Sequence, residues 1–226
     1  MSLTLYYHPL ASYCQKVLLA LYEGAVPFKP RLIDLGDVRD RAALAALWPW
    51  RKFPVLRDEG RGRTVPESTV VIEYLAEHFA GAAALLPEDA DARSEVRLWD
   101  RVFDGYVHAP MQLIVADRLR PTGERDTRGV ADARAALHLA YAQLEHQLAH
   151  QTWVASPNFS MADCAAMPAL FYAAIVVPIP PQHGQLLAYF ERLVQRPSAQ
   201  RVLREAQPYF SHFPFHDAIP ARFLLA

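Results

Sequence analysis

Residues 8–24, HPLASYCQKVLLALYEG, decide how the rest of the chain is read. The stretch opens as a loop carrying Pro9 and then takes a helical apolar rhythm. Val17, Leu18 and Leu21 fall at helical spacing and Gly24 supplies a stop. The residues before it, LTLYYH at 3–8, are rich in leucine and tyrosine and read as a strand. A strand therefore feeds a helix through a short loop, with Ser12, Tyr13 and Cys14 where loop becomes helix. Ser12 precedes Gln15 by three residues, the S-x-x-Q form of a capping box, so its hydroxyl is expected to cap the helix. The same position suits chemistry. First-turn amides and the helix dipole favour an anion, and a hydroxyl there can donate to a bound thiolate. The dipole can also lower the pKa of Cys14, or Cys14 can be a small apolar residue facing the core. Taken alone, capping and core packing account for both residues.

Working outward, FKPRLIDL at 28–35 reads as a second strand, at a sheet edge because of Pro30. RDRAALAALWPW at 39–50 is alanine-rich and helical until Pro49. FPVLRD at 53–58 reads as a strand, and the turn EGRG followed by RTVPE at 63–67 completes a hairpin. STVVIEYLAEHF at 68–79 is an amphipathic helix, with Val71, Leu75 and Phe79 four apart and Ile72 alongside. The order β-α-β-α-β-β-α predicts a small mixed sheet with helices on its faces. AGAAALLPEDA then breaks the pattern and reads as a linker, placed at 81–89. Beyond it the helical stretches 90–119, 126–150, 161–177, 185–195 and 199–206 contain no convincing strand. The expectation is an α/β domain at 1–80 and an all-helical domain at 90–226.

The 226 residues, 52% of them hydrophobic, suffice for two small domains with sizeable cores. With 23 basic and 24 acidic residues the net charge is −1, which makes no electrostatic case for nucleic acid or an anionic membrane. Cys14 and Cys164 read as free thiols of a reducing cytosol. The N-terminus lacks the basic-then-apolar order of a signal peptide. CAAMPALFYAAIVVPIPP at 164–181 is uncharged but holds four prolines, so a buried central helix is expected rather than a membrane span. The nine histidines form no metal-binding pattern; His146 and His150, four apart, fit a solvated helix face. No metal is expected.

Two further stretches carry chemistry. In RKFPVLRD a basic and an apolar residue precede Pro54, which opens a strand. A cis Phe53–Pro54 bond would turn the Phe53 backbone outward to pair with an extended peptide-like ligand. In VPESTVVIEYL, Glu67 and Ser68 stand at a second helix start. Glu67 can accept from a ligand ammonium and Ser68 can donate to a ligand carboxylate; as an ordinary N-cap, Ser68 needs no ligand.

In this order and spacing the chain resembles the cytosolic glutathione S-transferase family, in a serine/cysteine-type form with a zeta- or theta-like N-terminal stretch. The resemblance rests on LTLYYHPLASYCQKVLLALYE, RKFPVL and VPESTVVIEYL. Past the linker it rests on NFSMADCAAMPALFYA, where Ser160 and Asp163 read as N-cap and capping box. It implies a thioredoxin-like N-terminal domain with a mixed four-stranded sheet, then an all-helical domain. It implies that glutathione binds as co-substrate, with Pro54 as the cis-proline and the Phe53 backbone on the cysteinyl unit. Glu67 and Ser68 would hold the γ-glutamyl end, and Lys52 would add a polar contact. The reaction implied is attack of a stabilised glutathione thiolate on a small electrophile, lying between the domains against Pro9, Leu10, Tyr106 and Met111. A cytoplasmic homodimer engaged in detoxification is the family expectation.

The catalytic stretch departs from the family. The four residues matching C-x-x-C in thioredoxin-like relatives are ASYC, so the leading position is Ala11. Ser12 is the first candidate to activate the thiol and Cys14 the second. Tyr6 and Tyr7 lie near the strand end on opposite faces, so at most one can serve. Two other readings stand beside conjugation: a glutathione-dependent isomerase or dehalogenase, and a non-catalytic module that binds glutathione or a protein. Pro168 inside the central helix is expected to kink it.

Overall fold

The computed structural model describes residues 2–224, and the chain divides between Pro87 and Glu88 into two compact units. The first contains β1 (Leu3–Tyr7), α1 (Ser12–Glu23), β2 (Lys29–Leu32), α2 (Val38–Leu47), β3 (Val55–Asp58), β4 (Arg63–Pro66) and α3 (Ser68–His78). The strands lie in the order β2-β1-β3-β4. β1 and β2 run parallel, and β3 is antiparallel to both β1 and β4. This is the mixed four-stranded, thioredoxin-like sheet that the resemblance implies.

Period-two patterning sets the two faces of β1. Leu3, Leu5 and Tyr7 are buried on one side, and Thr4 and Tyr6 lie half-buried on the other. Tyr6 packs there with Leu47, Trp48 and Phe53 onto a cluster of Ile33, Leu44 and Val55. β2 is an exposed edge containing Pro30, whose missing N–H need not join a ladder. It ends earlier than expected, at Leu32. The chain then turns on two aspartates: Asp34 accepts from the Gly36 amide at 2.7 Å, and Asp37 accepts from Arg39 and Asp40 as the N-cap of α2.

The expected linker begins as structure. Ala80–Leu85 forms a 3₁₀ turn with Ala82 and Leu85 buried. A side chain at Gly81 would place its Cβ 2.0 Å from the Gly24 carbonyl oxygen, so glycine is what lets this turn close on the end of α1.

The second unit is helical: α4 (Ala90–Val102), α5 (Ala109–Arg118), α6 (Thr127–Gln147), α7 (Met161–Val176), α8 (Gly184–Val194) and α9 (Pro197–Ala206). The stretch expected as one helix from 90 to 119 carries a π-helical segment, Phe103–His108, between α4 and α5. α7 is buried along almost its whole length, Pro168 included. The proline removes the amide that would have donated to the Cys164 carbonyl.

The start of α7 is tied down as the S-x-x-D spacing predicts. The Ser160–Asp163 capping box is formed. The Asp163 carboxylate accepts from the Ser160 amide at 2.9 Å, the Ser160 hydroxyl at 3.0 Å, the Val154 amide at 3.2 Å and the Tyr189 hydroxyl at 2.6 Å. Among the described residues no helix is long and apolar enough to cross a membrane.

Candidate functional site

Strand register assembles the three stretches singled out in the sequence. Tyr6 of β1 lies opposite Val55 of β3, and Val55 lies opposite Pro66 of β4. The end of β1, the start of β3 and the end of β4 therefore share one end of the sheet. The loop into α1, the Phe53–Pro54 pair and the Glu67–Ser68 pair all leave from that end. The Phe53–Pro54 peptide bond is cis.

Two helices begin there, and neither begins as a capping argument predicts. The N-cap of α1 is Ala11, with Ser12 one residue inside, at the first helical position. Gln15 does not return a bond to the cap; its side-chain amide donates 2.8 Å to the Pro9 carbonyl and so anchors the loop instead. The N-cap of α3 is Glu67, at φ 69° and ψ 121°, with Ser68 again at the first helical position. The expected caps at Ser12 and Ser68 are thus both displaced by one residue. The reason is backbone geometry: a cap is the last residue with non-helical φ/ψ, and the incoming strand or loop decides which residue that is. Both serines are buried, and Glu67 is exposed at the surface.

Helix starts carry amides without intrahelical acceptors and the positive end of a dipole. In α3 the first intrahelical donor is Val71, whose amide reaches the Glu67 carbonyl at 2.8 Å. The amides of Ser68, Thr69 and Val70 precede it. An anionic group is favoured at such a place.

Cys14 is 0% exposed, and burial pushes its thiol well above the ordinary thiol range, against a backbone hydrogen bond from His8. Of the two readings open for Cys14, a dipole-lowered thiol and a small apolar core residue, full burial and the raised pKa favour the second. Tyr7 is buried, and Tyr6 is half-buried in the Ile33 cluster. Lys52 is exposed beside Arg51, which holds φ at 54°. The His8 and Phe53 rings stack at 6.4 Å, joining the α1 loop to the proline turn. Pro9 is buried and Leu10 half-buried in the first unit; in the second, Tyr106 is exposed and Met111 buried.

One connection at this site is not evident from sequence patterning. Lys16 is 1% exposed, and its Nζ donates to the Thr69 hydroxyl at 2.9 Å, so α1 and α3 are cross-linked just behind Ser12 and Ser68. Its signal in the sequence is a lone charge inside the apolar run QKVLLAL. Asp58 carries no such signal. It is buried at the end of β3, where it receives the Tyr74 hydroxyl at 2.8 Å and the Arg61 amide at 3.2 Å. Burial raises its pKa, but these donors and the Arg61 guanidinium outweigh that effect and hold the carboxyl below the usual carboxylate range. No metal-binding group of His, Cys, Asp and Glu is found among the described residues.

Comparison with known proteins places this geometry in context. The family model "Glutathione S-transferase, N-terminal domain" matches residues 5–83, and "Glutathione S-transferase, C-terminal domain" matches residues 102–197. The chain is 25% identical over 192 residues to glutathione S-transferase GstB of Escherichia coli K12, covering 84% of this chain and 91% of that protein. It is 25% identical over 225 residues to FtsZ-localized protein A of Caulobacter vibrioides, covering 95% and 96%. A crystal structure of a glutathione S-transferase from Methylobacillus flagellatus KT with glutathione bound superposes with a TM-score of 0.82 at 25% identity. That match covers 89% of this chain and 98% of the other.

Proposed function

Since this chain belongs to the glutathione S-transferase family, we propose that it conjugates the glutathione thiolate to small electrophiles, as a homodimer in the cytoplasm. One observation carries the reading: the register gathers two helix starts, each with a buried serine at its first position, around the Phe53–Pro54 turn. Glutathione offers a carboxylate and an ammonium at its γ-glutamyl end, a backbone-like cysteinyl unit, and a thiol. Ser68 and the first amides of α3 take the carboxylate, and the exposed Glu67 takes the ammonium. The Phe53 backbone pairs with the cysteinyl unit, and Lys52 adds a polar contact at its flank.

Ser12 donates to the thiolate sulfur. A donor to the charged form lowers the thiol pKa, so the proton leaves to solvent and the sulfur stays nucleophilic near neutral pH. The sulfur lone pair forms the carbon–sulfur bond, and the carbon–halogen pair departs with the halide. Cys14 takes no part. Pro9 and Leu10 of the first unit are candidate contacts for the electrophile, as are, separately, Tyr106 and Met111 of the second, and exposed Tyr106 is the first to vary. The two cysteines, buried and unbridged, fit a reducing compartment.

The test is thioether formation with an aromatic halide. Ser12→Ala should lower kcat/KM by about 10²-fold while retention on immobilised glutathione persists. A variant with the wild-type rate removes Ser12 from the mechanism. A second reading, a glutathione-binding module with little turnover, draws on Ala11 at the N-cap of α1 and on the similarity to FtsZ-localized protein A. Binding without turnover across a panel of electrophiles, isomerisable and halogenated ones included, would favour it over conjugation, isomerisation and dehalogenation alike.

A further inference from the structure

The loop that delivers Ser12 to the end of the sheet is organised around one residue, His8. Its half-buried ring accepts from the Leu10 amide at Nδ1, at 3.2 Å. Its carbonyl accepts from the Ala11 amide at 3.0 Å, and a backbone hydrogen bond runs from His8 to the Cys14 sulfur. Pro9 has no N–H to satisfy, and its carbonyl accepts from the Gln15 side chain at 2.8 Å. His8 thus holds the loop through its ring and its backbone, and α1 holds it through Gln15. Backbone amides withdrawn from water need partners. The Leu10 amide takes its partner from a side chain rather than from the backbone, so a single substitution can release it.

The same ring reaches the proline turn. It stacks on the Phe53 ring with centroids 6.4 Å apart and planes 23° from parallel, and Phe53 precedes the cis peptide bond. One imidazole therefore spans from the loop that ends in Ser12 to the turn whose backbone holds the cysteinyl unit. A neutral imidazole that accepts at Nδ1 carries its proton on Nε2. Stack and hydrogen bond together fix both the orientation of the ring and its tautomer. Ser12 follows the Ala11 cap directly, so the loop decides where its hydroxyl stands relative to Phe53. Misplacing a reacting group by about 1 Å can cost about 10²-fold in rate. We infer that His8 is a positioning residue for thiol transfer: through Nδ1 and the Leu10 amide it places the Ser12 hydroxyl at the sulfur of a glutathione held by the Phe53 backbone. It exchanges no proton with the substrate. The role rests on the glutathione-transfer reading.

The test is steady-state thioether formation by His8 variants. His8→Phe keeps a ring to stack on Phe53 and loses the acceptor. It should lower kcat by about tenfold and leave KM for glutathione within about twofold. His8→Asn, whose Oδ1 takes the place of Nδ1, should recover most of that loss. His8→Gln, whose amide reaches the Nε2 position instead, should not. The Asn and Gln variants should share a thermal midpoint, so a rate difference between them is not a loss of fold. In a Ser12→Ala background His8→Phe should cost nothing further, because effects exerted through one group do not add. The Leu10 amide should exchange its hydrogen slowly in wild type and His8→Asn and rapidly in His8→Phe, a readout that needs no turnover. The role is overturned by wild-type kcat in His8→Phe, by rescue with Gln rather than Asn, by losses that multiply in the double variant, or by equal Leu10 exchange throughout. A wild type that forms no thioether ends the transfer reading and this role with it; a wild type that conjugates beside an equally active His8→Phe ends only the role.

Discussion

Glu67 holds φ at 69°, a left-handed backbone position where a non-glycine residue is strained by about 1–3 kcal/mol. Glycine would relieve that strain, and the greater backbone entropy of its unfolded chain offsets part of the gain. Glu67→Gly is therefore expected to stabilise the fold by about 1 kcal/mol in chemical denaturation and to weaken retention on immobilised glutathione. Loss of stability in the variant would show that the carboxylate serves the fold instead. Cys14 makes the opposite point. Both cysteines are 0% exposed, so an aromatic disulfide reagent should find no reactive thiol in the native protein and two after denaturation. One thiol reacting rapidly in the native state would return Cys14 to the catalytic candidates.

At the scale of elements, two aspartates anchor helix and hairpin. Asp163 collects four donors from the Ser160 amide and hydroxyl, the Val154 amide and Tyr189, and so joins the start of α7 to α8 and to the preceding loop. Asp163→Ala leaves several buried donors without an acceptor. It should lower the unfolding free energy by about 3–5 kcal/mol, measured by urea denaturation; a loss below about 1 kcal/mol would mean that only a surface cap was removed. Asp58 steadies the β3–β4 hairpin against α3 through Tyr74. Its folded-state pKa lies below the unfolded value, so the stability it contributes is present above the ordinary aspartate pKa and lost as pH falls through the lowered one. Thermal midpoints of wild type and Asp58→Asn should accordingly differ at neutral pH and converge in acid. A constant difference at every pH would refute the role of its charge.

For the molecule as a whole, a ligand that binds only the folded chain stabilises it by mass action. Glutathione at a hundred times its dissociation constant adds about 2.7 kcal/mol, which for a chain of this length raises the thermal midpoint by roughly 5–10 °C. Ser68→Ala should shrink that shift while Tyr106→Ala preserves it. A midpoint that glutathione does not move at any concentration would remove the proposed ligand. The proposed homodimer is checked by light scattering on the purified protein, where twice the chain mass is expected and a single chain mass would refute it.

Periodic signals local to a dozen residues are legible in the amino-acid sequence by itself. Val17, Leu18 and Leu21 mark α1, Pro30 marks an exposed edge, Ser160 and Asp163 mark the start of α7, and the alternation of elements marks a mixed sheet followed by helices. Each depends on spacing along the chain, which backbone geometry converts directly into a face or a cap. Other features depend on groups distant in sequence. Ala11 and Glu67 cap their helices in place of Ser12 and Ser68 because the incoming β1 loop and β4 set the last non-helical dihedrals. Cys14 is fully buried, with its thiol pKa raised, because packed neighbours exclude water from it. Gly81 closes on Gly24, Lys16 reaches Thr69, and the register of β1, β3 and β4 draws three stretches to one end of the sheet. These are consequences of packing: burial and strand pairing act through space, and no pattern confined to one segment encodes which remote residue will fill it.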